Sequence, residues 1–138
     1  MKSKGKPRNS EESLGSGVFL IDTSVLIDHF RKRTHLDIWG NAISTITLLE
    51  FLRGVPGEER RAAFLKELKK LFKIEPLDDS VVLTYCKLYR ALKRNGELIE
   101  DADLLIAATA IAKGYTLWTK NLKHFERLEK FGLKLLRE

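Results

Sequence analysis

The sequence predicts an α/β fold: a three-layer α/β/α sandwich around a central, mainly parallel sheet. Three observations carry that prediction. First, the runs Val18-Phe19-Leu20-Ile21, Ala42-Ile43-Ser44-Thr45-Ile46 and Tyr115-Thr116-Leu117-Trp118-Thr119 have strand length, and the first is continuously apolar, as in a strand buried on both faces. Second, segments of helical period separate these runs, with apolar residues three and four apart. Third, two of those segments stop at Asn95-Gly96 and at Gly114, where glycine accepts the left-handed backbone that ends a helix. Strands alternating with helices imply parallel pairing, with helices covering both faces.

Taken in order, residues 1–17 (MKSKGKPRNSEESLGSG) hold one large apolar residue besides Met1, Leu14. They bury too little surface to offset their ordering entropy, and read as a disordered basic tail before a folded domain at 18–138. After the first strand, Asp22-Thr23-Ser24 lead into a helix carrying Val25, Leu26 and Phe30. The second strand runs into a helix over 47–53, broken by Gly54, Pro56 and Gly57. A helix over 58–72 has Ala63, Phe64, Leu68, Leu71 and Phe72 as its apolar stripe. Residues 73–77 suit a short edge strand, because Pro76 lacks the N–H that a central strand needs. Asp78 or Asp79 caps a long helix, and a further helix spans 102–113. A helix over 122–130 and a last strand over 133–136 complete the chain.

Composition narrows the function. A chain of 138 residues, 43% hydrophobic and 32% charged, suits one domain with a real core. No apolar run approaches the ~20 residues that span a bilayer, and the start lacks a signal-peptide hydrophobic region. The expectation is a soluble, cytoplasmic protein with no membrane contact. A net charge of +6 and an isoelectric point of about 9.5 favour polyanions, nucleic acid first, although solubility alone accounts for such a charge in other proteins. The single cysteine, Cys86, cannot form an internal disulfide. Beside Tyr85 and Leu88 it is expected to be a buried structural thiol rather than a nucleophile.

Sites in open α/β sheets gather beyond the carboxyl ends of the strands. Asp22 stands where the first strand run ends, as a helix cap or as a working carboxylate. Glu50 fits a capping box, Thr47-Leu48-Leu49-Glu50, yet it adjoins the apolar Phe51 and Leu52. Asp101 and Asp103 open DADLLIAATAIAKG at 101–114, Asp101 as a cap and Asp103 in a first turn that favours acids. The small, apolar body of that helix must be buried, which fixes its acidic end against the sheet. A parallel sheet brings Asp22, Glu50 and Asp103 to one edge. Three carboxylates so close repel one another unless a cation joins them. Mg2+ or Mn2+ takes few oxygen ligands from protein and activates water for phosphoryl displacement.

DTSVLID at 22–28, TLLEFLRG at 47–54, DADLLIAATAIAKG at 101–114 and TLWTKNLKHF at 116–125 together resemble the PIN domain family, and within it the VapC ribonuclease toxins. The resemblance covers essentially all of 18–138. It implies a metal-dependent endoribonuclease, the toxin of a toxin–antitoxin pair, with Asp22, Glu50 and Asp103 as metal-binding carboxylates and Asp101 as a secondary one. Thr23, Ser24 and Thr119 would supply hydroxyls. Asn121 replaces an aspartate found in many members, which suits holding water or substrate better than a second metal. Arg53 is a candidate for phosphate or antitoxin contact, while His29, His35 and His124 lack metal-ligand spacing, and His124 reads as a helix-surface residue. Trp39 and Trp118 are expected in the core. RNA, a small VapB-like antitoxin and a second copy of the chain are the implied partners, with apolar helix surface near Phe64 and Leu88 as the source of the interface.

Other classes stay open. A catalytically inactive RNA-binding or scaffold module would share the fold. An aspartate-based phosphohydrolase of the haloacid-dehalogenase type also ends its first strand on aspartate, but wants a second one where this chain has Ser24. A receiver-like domain would use Thr119-Lys120, yet lacks its acidic pair and acceptor aspartate.

Overall fold

A computed structural model describes residues 18–32 and 37–137 of the chain. The tail expected over 1–17, and His35, lie outside the described residues. Five strands, β1 (Phe19–Ile21), β2 (Ala42–Ser44), β3 (Lys73–Glu75), β4 (Thr116–Trp118) and β5 (Lys134–Leu135), pair in the order β3-β2-β1-β4-β5. Every pair is parallel. The helices are α1 (Thr23–Lys32), α2 (Thr45–Arg53), α3 (Glu58–Leu71), α4 (Asp79–Arg94), α5 (Asp101–Lys113) and the short α6 (Leu122–Phe125), which tightens into a 3-10 turn over Glu126–Phe131. β3, which precedes Pro76, is an edge strand as expected.

The pleat explains the layers. Successive strand residues point to opposite faces, so Leu20, Ala42 and Leu117 enter a core with α4 and α5 residues, joined by Phe125 and Leu128. Their neighbours Ile21 and Ile43 enter a second core with Val25, Leu26, Leu48, Leu68 and Phe72, against which Trp118 packs. The continuous apolar character of the first strand follows from burial on both sides: Leu20 and Ile21 are each fully buried. α5 is the most enclosed helix in character, with Leu104, Ile106, Ala107, Ala108 and Ala110 wholly shielded from solvent. Its alanines let α4 and the sheet approach closely, as the sequence reading required.

Polar groups fix where elements begin. β1 and β2 share a single register pair, Leu20 with Ala42, and the Asn41 side chain extends the join. Its Oδ1 accepts from the Phe19 N–H (2.8 Å) and its Nδ2 donates to the Ile38 carbonyl (3.0 Å). Ser44, fully buried, caps α2 by accepting from the Thr47 N–H at 3.0 Å. The capping box expected at Thr47 and Glu50 is therefore not formed: the helix starts two residues earlier, and Glu50 falls beyond its first turn. Asp78, not Asp79, caps α4 by accepting from the Val81 N–H. At α5 the cap position is Glu100 rather than Asp101, and Gly114 takes the left-handed backbone (φ 77°) that ends the helix.

Three burial expectations are corrected. Cys86 is exposed, because it lies on the solvent side of α4. Trp39 is 42% exposed, its ring stacked edgewise on His29 at the rim of an aromatic cluster. Leu88 is buried against α5 instead of contributing outer surface, whereas Val82 and Leu83 on the same helix are 47% and 69% exposed.

Two outcomes follow from the caps. Ser44→Ala leaves the buried Thr47 N–H without its acceptor, and should lower stability by about 1 kcal/mol. A melting temperature lower by roughly 3–5 °C checks it. The carboxyl of Asp78 is held at about 2 by the Lys113 ammonium, then by the Ser80 hydroxyl and the Val81 N–H. A carboxyl depressed in the folded state stabilises above its unfolded pKa of 3.8, and that contribution is lost as pH falls towards 2. Asp78→Asn keeps a cap but not the charge. It should unfold at lower urea than the parent at pH 7, with the gap closing between pH 4 and 2.

Candidate active site

Parallel pairing places the ends of β1, β2 and β4 on one edge of the sheet, and each end delivers a polar segment there. β1 ends at Asp22, whose N–H still donates to the Trp118 carbonyl (2.9 Å) and so continues the ladder. The Val25 and Leu26 N–H groups donate to the Asp22 carbonyl, which starts α1 and leaves the carboxylate for other contacts. That carboxylate is buried, with the residue only 3% exposed. Its Oδ2 accepts from Ser24 Oγ at 2.6 Å and from Thr119 Oγ1 at 2.8 Å. The two hydroxyls in turn accept from the Lys120 N–H (3.1 Å) and the Asn121 N–H (3.0 Å). With both protons given to Asp22, the 3.4 Å approach of Ser24 Oγ to Thr119 Oγ1 is contact only.

Glu50 faces the same edge from α2. Thr23 Oγ1 lies 2.7 Å from Glu50 Oε1 and 3.0 Å from Thr47 Oγ1, and its single proton goes to the charged acceptor. The Arg53 guanidinium stands 3.8 Å from Glu50 Oε2 and is 77% exposed, a loose surface pair of small energetic worth.

Asp103 arrives from the first turn of α5. Its Oδ2 lies 2.9 Å from His124 Nε2. Burial raises the Asp103 pKa, and the negative charge of Asp22 and then of Glu50 raises it further, against the opposing effect of His124. The charges of Asp22 and Glu50 thus both act on Asp103. Their donors differ: hydroxyls at Asp22 and Glu50, an imidazole at Asp103. Among the described residues, no three His, Cys, Asp or Glu side chains stand close enough to make a ready-formed metal cage.

Other sequence candidates separate from this group. Asp101 turns towards α4, where Tyr85 Oη donates to its Oδ1 at 2.6 Å. That bond pushes the Tyr85 pKa up to about 12. Asn121 is exposed and contributes its backbone N–H to Thr119. The sequence reading missed His124, which is not a bare surface residue but the partner of Asp103. Its signal was present in TLWTKNLKHF, since α6 begins just after the loop that holds Thr119, but a lone histidine announces no partner.

Comparison with known proteins bears on this geometry. The PIN domain family profile matches residues 19–130. Ribonuclease VapC1 of Methanocaldococcus jannaschii is 50% identical over 135 residues, covering 98% of this chain and 96% of that protein. Ribonuclease VapC1 of Rickettsia felis is 39% identical over 127 residues, covering 85% and 93%. Among solved structures, VapBC2 from Rickettsia felis bound to a DNA fragment from its promoter superposes with a TM-score of 0.73 at 26% identity, covering 86% of this chain and 97% of that one. With the family profile spanning nearly all the described residues and relatives at 50% and 39% identity over most of their length, this chain belongs to the PIN domain family.

Proposed function

We propose that this protein is an endoribonuclease that hydrolyses RNA phosphodiester bonds with a divalent cation, magnesium or manganese, held by Asp22, Glu50 and Asp103. What supports the reading is the carboxyl edge itself, where burial and then the charges of Asp22 and Glu50 raise the pKa of Asp103. Its relatives are named ribonucleases at up to 50% identity.

The donor chemistry fits such an ion. Carboxylate oxygens suit hard cations, and magnesium keeps several waters while taking only one or two protein carboxylates directly. Each carboxylate has one oxygen committed to a protein donor: Asp22 Oδ2, Glu50 Oε1 and Asp103 Oδ2. The opposite oxygens of Asp22 and Asp103 accept no hydrogen bond from another described residue. When bound, the cation offsets phosphate charge and makes water a better nucleophile. The chain's own residues do the rest. Ser24 and Thr119 lock the Asp22 rotamer, Thr23 orients Glu50, and His124 holds Asp103. Asp101 and Asn121 stand at the border of the site, with Asn121 suited to water or substrate.

A small antitoxin and a second copy of the chain are the protein partners of this reading. An apolar hollow of about 270 Å³ lined by Phe30, Phe64, Leu68 and Leu71 among others supports the first. The exposed Val82 and Leu83 support the second. No helix of the described residues is long and apolar enough to cross a membrane.

RNA cleavage with manganese tests the mechanism. Asp22→Asn, Glu50→Gln and Asp103→Asn should each abolish it, and Thr119→Ala, which only supports Asp22, should lower it about 10- to 100-fold. Near-parental cleavage by Asp103→Asn would remove that residue from the site. The metal-free protein adds a second readout. A carboxyl whose pKa is raised on folding destabilises the fold once pH exceeds its unfolded value of 3.8, and the penalty fades as pH falls back through the folded value. In chelator at pH 7 Asp103→Asn should therefore melt no lower than the parent, and its advantage should disappear at acid pH. Manganese should raise the melting temperature of the parent more than that of the variant.

A further inference from the structure

The second half of α4 carries chemistry that the catalytic edge leaves unused. From Tyr85 to Arg94 the helix reads YCKLYRALKR, four cations with no acid. The helix dipole favours basic residues in a last turn, which accounts for Lys93 and Arg94 but not for Lys87 and Arg90. None of these four side chains forms an ion pair with another described residue. Tyr85 and Tyr89, one turn apart, stack with ring centroids 6.0 Å apart at an interplanar angle of 30°. Lys93 Nζ stands 5.8 Å over the Tyr89 ring. Tyr89, Arg90, Lys93 and Arg94 line an open hollow of about 310 Å³.

The strip is tied to the site. α4 and α5 run antiparallel: Asp78, at the head of α4, pairs with Lys113 at the tail of α5, and Tyr85 donates to Asp101 at the start of α5. Asp101 is two residues from Asp103. Beyond Tyr85, α4 continues past the first turn of α5, so Tyr89 and Lys93 lie on the side of the molecule where the carboxylates gather, about 6 and 12 Å further along the axis.

We propose that Tyr85, Tyr89, Arg90, Lys93 and Arg94 form a docking strip for single-stranded RNA, which guides substrate into the acidic edge that by itself repels it. This rests on the ribonuclease reading and adds the surface that binds the flank of the substrate. Stacked aromatic rings among unpaired cations match the two features of a single strand, base faces and phosphates. A duplex hides its base faces from such a platform, and an acidic protein would need the cations but not the rings.

Binding is measured by fluorescence anisotropy in chelator, where cleavage is suppressed, with a labelled single-stranded RNA of about a dozen nucleotides. Arg90→Ala/Arg94→Ala should weaken binding about five- to tenfold, and flatten the slope of log K against log salt by about 1.4, as expected for two lost phosphate contacts on a single strand. Tyr89→Ala should weaken binding about tenfold with the slope unchanged, and Tyr89→Phe should restore it. The Arg90/Arg94 and Tyr89→Phe proteins must melt as the parent does. Tyr89→Ala, which also gives up packing against the core, is compared with Tyr89→Phe at a temperature where both are folded. A pair of exposed cations on another face, Lys66→Ala/Lys69→Ala, should bind as the parent. In the manganese assay the strip variants should lose kcat/KM mainly through KM. Parental RNA binding by the Arg90/Arg94 variant, equal damage from the Lys66/Lys69 pair, or equal competition by polyglutamate would each overturn the strip. If the parent cleaves RNA in those cases, the ribonuclease reading stands alone; if the parent neither binds nor cleaves RNA, both fall.

Discussion

The Asp22 carboxylate is buried at the seam between β1 and β4, and two hydroxyls from segments 95 residues apart in sequence meet on one of its oxygens. Burying a charge is costly unless hydrogen bonds compensate it, so this contact constrains everything around it. The Asp22 backbone has to stay in the β1–β4 ladder while its carbonyl starts α1. Ser24 has to sit in the first turn of that helix, and Thr119 has to leave β4 at the matching height. The loop after β4 is stitched to the start of α1 through Lys120 and Asn121. α6 then begins where His124 reaches Asp103, so one buried carboxylate sets the position of a second.

Electrostatics divide the molecule into two territories. The carboxyl edge holds Asp22, Glu50 and Asp103, and burial, with the charges of Asp22 and Glu50 adding to it, raises the pKa of Asp103. The chain as a whole is basic, with a net charge of +6. Such a division suits an enzyme acting on a polyanion: the basic surface attracts phosphate, and the acidic edge is set apart from it. Asp101 belongs to the border between the two, because Tyr85 draws it towards α4 and away from the carboxylate trio.

The packing makes this division possible. Small residues through α5 let it bed against both the sheet and α4, so its first turn is held in place rather than projecting into solvent. Leu104, directly after Asp103, is fully buried. The anchor and the functional group are therefore adjacent in sequence. The same adjacency recurs at β1, where fully buried Ile21 precedes Asp22.

Periodicity and composition were sufficient for the sheet, both helical layers, the edge strand at Pro76 and the helix stops at Gly96 and Gly114, because these depend on local backbone preference and on which residues avoid water. Cap assignments failed where two candidates stood close together: Ser44 and Glu100, rather than Thr47 and Asp101, occupy the cap positions. The burial of Leu88 and the exposure of Cys86 and Trp39 depended on which face of a helix or turn meets a neighbour, and a side chain's own character does not determine that. The partners of the carboxylates were least legible. Ser24 with Thr119, Thr23 with Glu50, and His124 with Asp103 join residues that only the crossover of β1 beside β4 and α1 beside α2 brings within hydrogen-bonding distance. Sequence sets the chemical capacity of each side chain; its donor and its charge environment come from long-range packing, because hydrogen bonds and coulombic fields act over distances in space, to which separation along the chain gives no measure.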